Sequence, residues 1–399
     1  MRAYADFELA LKAQVDAYLD AHPGAEIEIA ALDLRTLEEK VCHRNGAAWD
    51  LAIFPTDWIG AAVQAHCLEP LTAWMDAYPL PDWPEGWPRS LREPLRQRGE
   101  FYCIPWHDGP ECLIYRRDLF EDSRERASFA TAFARELSPP ATWRQFHETA
   151  RFFTRPGAGL YGTVFAAFPD GHNTLYDLVL QVWSRAGELY TADGTPSLAT
   201  PIVVEALDDY RTLIRDPLAC HPDCRELDST QSGDVFLDGK VAMMVNWFGF
   251  AARASRPGSP LSDRIALAPI PGGAPGQTAS LSNYWVIGIG AGSAHKQAGY
   301  ELLRHIASPE MDILTTLHGA VGVRLSTWNA PEVREQIPIY QELGRLSATA
   351  RTLPFCPDLP KLAEIVNQVS IEALTTDEES AKILSRAQAR ALQQGLLLR

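Results

Sequence analysis

Six short stretches place polar or aromatic side chains beside apolar runs that read as strands or helices. Asp57-Trp58 follow Leu51-Ala52-Ile53-Phe54, and Trp106-His107-Asp108-Gly109-Pro110-Glu111 separates Phe101–Pro105 from Cys112–Tyr115. Pro169-Asp170-Gly171-His172-Asn173 opens a helical stretch, Asn246-Trp247-Phe248 ends the run Val241–Val245, Ser282-Asn283-Tyr284 precedes Trp285–Ile289, and Arg324 follows Gly322-Val323. Aromatic faces cover the apolar side of a sugar ring, while carboxylates, amides and a guanidinium bond its hydroxyls. The same residues allow plainer roles: Asp57 as a helix cap, Asn173 as an N-cap, Gly109-Pro110 as a turn with solvated charges, Phe248 and Trp285 as core.

Two kinds of chemistry compete with simple binding. Asp57, Asp108, Glu111 and Asp170 are able to supply a carboxylate pair for glycoside hydrolysis, with His107 or His172 as acid or base. His107, Asp108, Glu111 and His172 are of types that hold zinc or manganese, although a Gly-Pro turn is not helical ligand spacing. The chain contains no Gly-x-Ser-x-Gly elbow, no His-Glu-x-x-His and no Gly-rich phosphate loop. The expectation is a binder without catalytic residue, cofactor or metal, and an enzyme acting on a carbohydrate through the same carboxylates is the alternative.

The elements that position these residues alternate between helix and strand. Tyr4, Phe7, Leu11, Val15, Tyr18 and Leu19 predict a first amphipathic helix, stopped by His22-Pro23-Gly24. Glu26–Ala30 alternates as a strand, Leu51–Phe54 reads as a buried strand, and the Pro- and Trp-dense stretch from Trp74 to Pro94 reads as a surface excursion. Helices are predicted around 143–153, 173–187, 201–215 and 295–307, with a last one starting at Thr376-Asp377-Glu378-Glu379. Strands are predicted at Val241–Val245 and Trp285–Ile289.

The 399 residues carry 46% hydrophobic and 22% charged side chains, which suits a globular chain of two domains. A net charge of −15 excludes sequence-independent binding to nucleic acid. No stretch is long and apolar enough for a membrane span, and Met1–Asp6 is not the start of a secretion signal. The seven cysteines form no regular framework; Cys220 and Cys224, in a Pro-containing loop, suit either a local disulfide or a zinc half-site.

Taken in order, several motifs resemble the family 1 extracellular solute-binding proteins, the carbohydrate-type receptors of ABC importers. They are Ala21-His22-Pro23-Gly24 before Glu26–Ile29, Asp50 to Trp58 leading to Cys67-Leu68-Glu69-Pro70-Leu71, Gly99 to Pro105 followed by Leu113 to Phe120, and Pro140-Ala141-Thr142-Trp143. Phe236 to Met243, Ser293 to Lys296, Ser308-Pro309-Glu310 and the Gly319–Arg324 turn complete the series. The resemblance implies an α/β, periplasmic-binding-protein-like fold of two lobes, each a mostly parallel sheet flanked by helices, joined by crossing hinge strands. It implies lobes of 1–107 plus 284–310 and of 113–279 plus 311–399, with crossings near 108–112, 280–283 and 310. The implied ligand-binding set is Asp57, Trp58, Trp106, His107, Asp108, Glu111, His172, Asn173, Asn246, Trp247, Tyr284 and Arg324. The implied function is capture of a sugar or polyol by hinge closure, for delivery to membrane permease subunits, by a monomer at the periplasm or cell surface. Family members carry a signal peptide and a strand ahead of the first helix, whereas this chain starts at that helix, so a cytoplasmic location stays open.

Overall fold

The computed structural model describes residues 1–43 and 49–398. The strands used below are β1 (Leu51–Pro55), β2 (Cys103–His107), β3 (Glu111–Arg116), β4 (Tyr161–Val164), β5 (Val241–Trp247), β6 (Ile265–Ala268) and β7 (Trp285–Ile289). The helices are α1 (Ala5–Ala21), α2 (Asn173–Trp183), α3 (Pro201–Arg215), α4 (Ser229–Leu237), α5 (Lys296–Ile306) and α6 (Pro309–Leu317).

The chain divides into two compact units: Met1–Gly109, Ser282–Ala348 and Thr352–Leu359 form the first, and Pro110–Leu281, Thr349–Arg351 and Pro360–Arg399 the second. Residues 311–348, expected in the second unit, belong to the first. The reason is packing: α6 lies on α1, where the buried Gln14 amide donates to the Thr315 hydroxyl at 2.6 Å.

In the first unit the sheet order is β1-β7-β2, and both pairings are antiparallel. The central strand Trp285–Ile289 is buried at every residue, which explains its unbroken apolar sequence. In the second unit the order is β4-β5-β3-β6; β4 and β5 run parallel, and the other pairs are antiparallel. The expectation of mostly parallel sheets therefore fails for the described ladders. β7 enters the first sheet from a distant part of the chain rather than through a βαβ crossover, so nothing holds it parallel to its neighbours.

Glu26–Ala30 is another departure, because it joins no ladder. Its neighbourhood is pinned instead by the Met1 amino group donating to Ala30 O at 3.0 Å and by a single parallel bridge between Arg2 and Leu32. A cavity of about 690 Å³, lined by Leu11, Val15, Ile27, Ile29, Ile53 and Leu302 among others, adjoins this segment and β1. The Trp74–Pro94 stretch is not merely a surface excursion, since Leu80, Trp87 and Leu91 are buried. Among the described residues no helix is long and apolar enough to cross a membrane.

Candidate functional site

The first unit gathers two carboxylates around the residues that lead into β7. Asp57 lies in the single 3-10 turn Thr56–Trp58 after β1, and its Oδ1 accepts from Asn283 Nδ2 at 3.3 Å. The Asn283 Oδ1 in turn accepts from the Thr56 hydroxyl at 2.7 Å, and Thr56 N donates to Tyr284 O. One residue earlier, the Ser282 hydroxyl donates to Asp108 Oδ1 at 2.8 Å. Adjacent residues, Ser282 and Asn283, thus hold one carboxylate each, at the end of β2 and just after β1.

Asp108 is wholly buried, and its Oδ2 has no hydrogen-bond partner among the described residues. Burial pushes its carboxyl up to about 6, partly offset by the bonds from Ser282 and the Gly109 backbone. His107 and Asp108 are each tied to Val321: the His107 Nδ1 accepts from Val321 N at 2.7 Å, and Asp108 N donates to Val321 O. An accepting Nδ1 puts the ring proton on Nε2, and burial pushes the imidazolium down to about 3, so the ring is neutral.

Four of the expected residues in this unit are committed to the unit itself. Trp106 donates through Nε1 to Gln14 Oε1 at 3.0 Å and packs edge-on against Phe7. The Tyr284 hydroxyl donates to Leu91 O at 2.7 Å in a fully buried setting, and Trp58 is 5% exposed. Arg324, expected at the ligand, is 1% exposed; its guanidinium donates to Pro81 O, Ala307 O and Asp82, and stacks over Trp87 at 4.1 Å. That is a brace, because both terminal nitrogens of the fork are bonded to the chain, while Nε has no hydrogen-bond partner among the described residues.

The second unit builds its group on β3, β5 and α2. Glu111 pairs across the ladder with Trp247, its N donates to Leu281 O, and its O accepts from the Ser280 hydroxyl at 2.7 Å. The backbone is fixed, yet Glu111 Oε2 has no partner among the described residues. Burial, reinforced by the charge of Asp177, holds this carboxyl well above its ordinary range. Asp177 itself, which accepts from the Tyr210 hydroxyl at 2.7 Å, is pushed up to about 7 by burial.

Trp247 is partly exposed, and its ring meets Tyr176 edge-on at 5.6 Å. The Tyr176 ring meets His172 at 4.6 Å, giving a run of three rings at the start of α2. Asp170 shapes that helix start by accepting from the backbone N of His172 and Asn173, both at 2.8 Å. Asn173 is therefore 4% exposed and turned onto Asp170 rather than outward. Asn246 is likewise consumed: Nδ2 donates to Ser229 O and Ser232 Oγ, and Oδ1 accepts from Trp247 N. Its service is to orient Trp247.

Two groups escaped sequence reasoning. Asp177 and Tyr176 lie inside α2, where a polar or aromatic residue at helical spacing reads as ordinary amphipathicity. Their signal is the step of one turn from His172 and Asn173, which puts them on the same helix face. Among the described residues no group of three or more His, Cys, Asp or Glu is arranged to hold a metal ion.

The family model for bacterial extracellular solute-binding proteins matches residues 4–313. A protein of Brucella abortus (strain 2308) is 25% identical over 231 residues, which cover 57% of this chain and 52% of the relative. The chain spans about half the length of such Brucella relatives. The maltotriose-binding protein of Pyrococcus abyssi is 23% identical over 356 residues, covering 86% of this chain and 69% of that protein. Among solved structures, a solute-binding protein of an ABC transporter from Agrobacterium radiobacter K84, in complex with ribitol, superposes with a TM-score of 0.85 at 22% identity, covering 98% of this chain and 97% of that one. Maltose-bound MalE3 of T. maritima gives a TM-score of 0.83 at 20% identity, with 99% and 98% covered. These likenesses establish the fold. With the family model spanning both units, the chain belongs to the bacterial extracellular solute-binding proteins.

Proposed function

We propose that the chain is the receptor of an ABC importer, capturing a small neutral solute rich in hydroxyls, a sugar or polyol, through hinge closure of its two units. The observation that carries the reading is the pair of buried carboxyl oxygens without a hydrogen-bond partner among the described residues, Asp108 Oδ2 and Glu111 Oε2, three residues apart in the chain on either side of the Gly109–Pro110 boundary between the units. A buried polar atom without a partner is costly, and a hydroxyl of a bound solute supplies the missing bond. The partly exposed Trp247 offers a face for the apolar side of such a solute.

Relatives support the class: structures of the same fold hold ribitol and D-mannitol, and the Pyrococcus relative is named for maltotriose. An anionic solute fits poorly beside Asp57 and Asp108 in the first unit, or beside Glu111 and Asp177 in the second. The role is that of a receptor rather than an enzyme, working as a monomer outside the cytoplasmic membrane and presenting its solute to permease subunits.

The test is a thermal-shift screen of purified protein against ribitol, mannitol, maltose, amino sugars and sugar phosphates. Binding to the native state alone raises the midpoint by mass action, and the bound compound should be recovered chemically unchanged. A folded protein that no sugar or polyol shifts would refute the carbohydrate assignment, and a recovered product in place of the added compound would refute the receptor role.

A further inference from the structure

Cys220 and Cys224 lie in the loop between α3 and α4, and both are buried thiols. Their sulfurs face each other at 3.1 Å. Each is anchored separately to the chain that runs out of β4. On the Cys220 side, Thr163 N donates to Ala219 O and His221 N donates to Thr163 O, which makes this stretch a parallel neighbour of β4. On the Cys224 side, Phe165 N donates to the Cys224 sulfur at 3.3 Å, and Ala167 N donates to Cys224 O. One residue further, Phe168 N donates to Leu227 O. The loop is held mainly through the backbone at both anchor points, with the two sulfurs brought face to face between them.

We propose that Cys220 and Cys224 form a disulfide in the mature protein, closing on itself the loop 219–227 that docks by hydrogen bonds on the segment leading from β4 towards the Asp170–Asn173 turn. Formation is by exchange with a disulfide oxidant of the extracytoplasmic space. One cysteine thiolate attacks the oxidant's sulfur, forming a mixed disulfide and releasing one oxidant thiol. The second thiolate then attacks the bound cysteine sulfur and expels the other oxidant thiol. Two cysteine thiols lose two protons and two electrons, and the oxidant disulfide is reduced to two thiols.

The order of events follows from burial. In the folded protein the Cys220 thiol is held well above its ordinary range by burial and by the neighbouring Cys224, so it is a poor nucleophile there. In the folded protein both thiols are buried away from an oxidant, whereas in the unfolded chain both are accessible and only four positions separate them. Oxidation therefore precedes docking of the loop, and docking then shields the bond from reductants. The other five cysteines stand outside the scheme. The proposal uses the extracellular character of the family but not the identity of the solute.

The test needs no variant to begin. Full-length protein is unfolded and refolded in a mixture of oxidised and reduced glutathione, denatured again without reductant, alkylated and digested with trypsin. The peptide Asp216–Arg225 carries both cysteines, and it should appear unalkylated and two hydrogens lighter than the dithiol. The oxidised protein should also melt about 4–8 °C above its reduced form, the range expected for a short loop closed in a domain of this size. The C220S/C224S double variant should melt like the reduced wild type whether or not reductant is present. A doubly alkylated peptide after glutathione refolding, or either cysteine cross-linked elsewhere, overturns the proposal. So does an equal melting shift on reduction in the double variant, since that shift would then come from other thiols.

Discussion

Asp108 and His107 are neighbours whose ionisations are pushed in opposite directions by the same cause, removal from water. For Asp108 the folded value, about 6, exceeds the ordinary 3.8. Its stabilising contribution is complete below about pH 4 and is lost as pH rises through about 6, because only the folded state prefers the proton there. For His107 the folded value, about 3, lies below the ordinary 6.5, so its contribution is present above about pH 6.5 and is lost as pH falls toward 3. Asp108→Asn mimics the protonated acid. It should melt at the wild-type temperature near pH 4 and above it at pH 7.5, by about 3–8 °C for a penalty of about 2–3 kcal/mol. Its affinity for the identified polyol or sugar should fall about tenfold, as one hydrogen bond to a charged acceptor is lost. Calorimetric melts across pH 4 to 8 check the first part. A variant less stable than wild type at pH 7.5 would show that the carboxylate is not strained by burial.

At the level of elements, α6 organises the turn after it. Asp312 accepts from the backbone N of Val323 and Arg324 through its two oxygens, at 2.9 and 3.0 Å, and the Thr316 hydroxyl accepts from Gly322 N. A Cβ at Gly322 would come within 2.5 Å of that hydroxyl oxygen, so only glycine lets the turn lie so close. Arg324 then ties the turn to Pro81, Asp82 and Trp87. Arg324→Lys keeps the charge but loses the fork and the stacked plane, and should cost about 1–3 kcal/mol; Arg324→Ala should cost about 3–5 kcal/mol. Urea denaturation measures both, and solute affinity of the Lys variant should stay within about threefold of wild type. Collapse of affinity with stability intact would return Arg324 to the ligand-binding set. The sequence motif here was legible and its role was not, because Gly-x-Arg reads the same whether the arginine faces a solute or a neighbouring loop. The central strands β5 and β7 were legible because burial on both faces leaves continuous apolar runs. The short edge strands Tyr161–Val164 and Ile265–Ala268 went unseen, being only four residues each and partly exposed. Glu26–Ala30 alternates as a strand should, but alternation says nothing about whether a pairing partner lies within reach.

For the molecule as a whole, the proposed recognition groups divide between units that the chain connects at Gly109–Pro110, Leu281–Ser282, Ala348–Thr349, Arg351–Thr352 and Leu359–Pro360. Composition and motif order pointed to two domains, but assignment of the C-terminal third depended on contacts such as Gln14 to Thr315, which no linear pattern announces. A solute moves a hinged protein only by as much as it binds one state better than another. If closure is the response, the solute must draw on groups of both units, Asp57 and Asp108 in one, Glu111 and Trp247 in the other. X-ray scattering at saturating solute should then show a decrease in radius of gyration of about 1 Å, small against the size of a chain of this length. Trp247→Ala removes the partly exposed aromatic face and should weaken affinity about 10- to 100-fold. Because that lost contact belongs to the favoured state, the variant should also compact less at an equal fraction bound. Tight binding with an unchanged radius in the wild type would mean that the solute is held by one unit alone, and the hinge would then have no part in its capture.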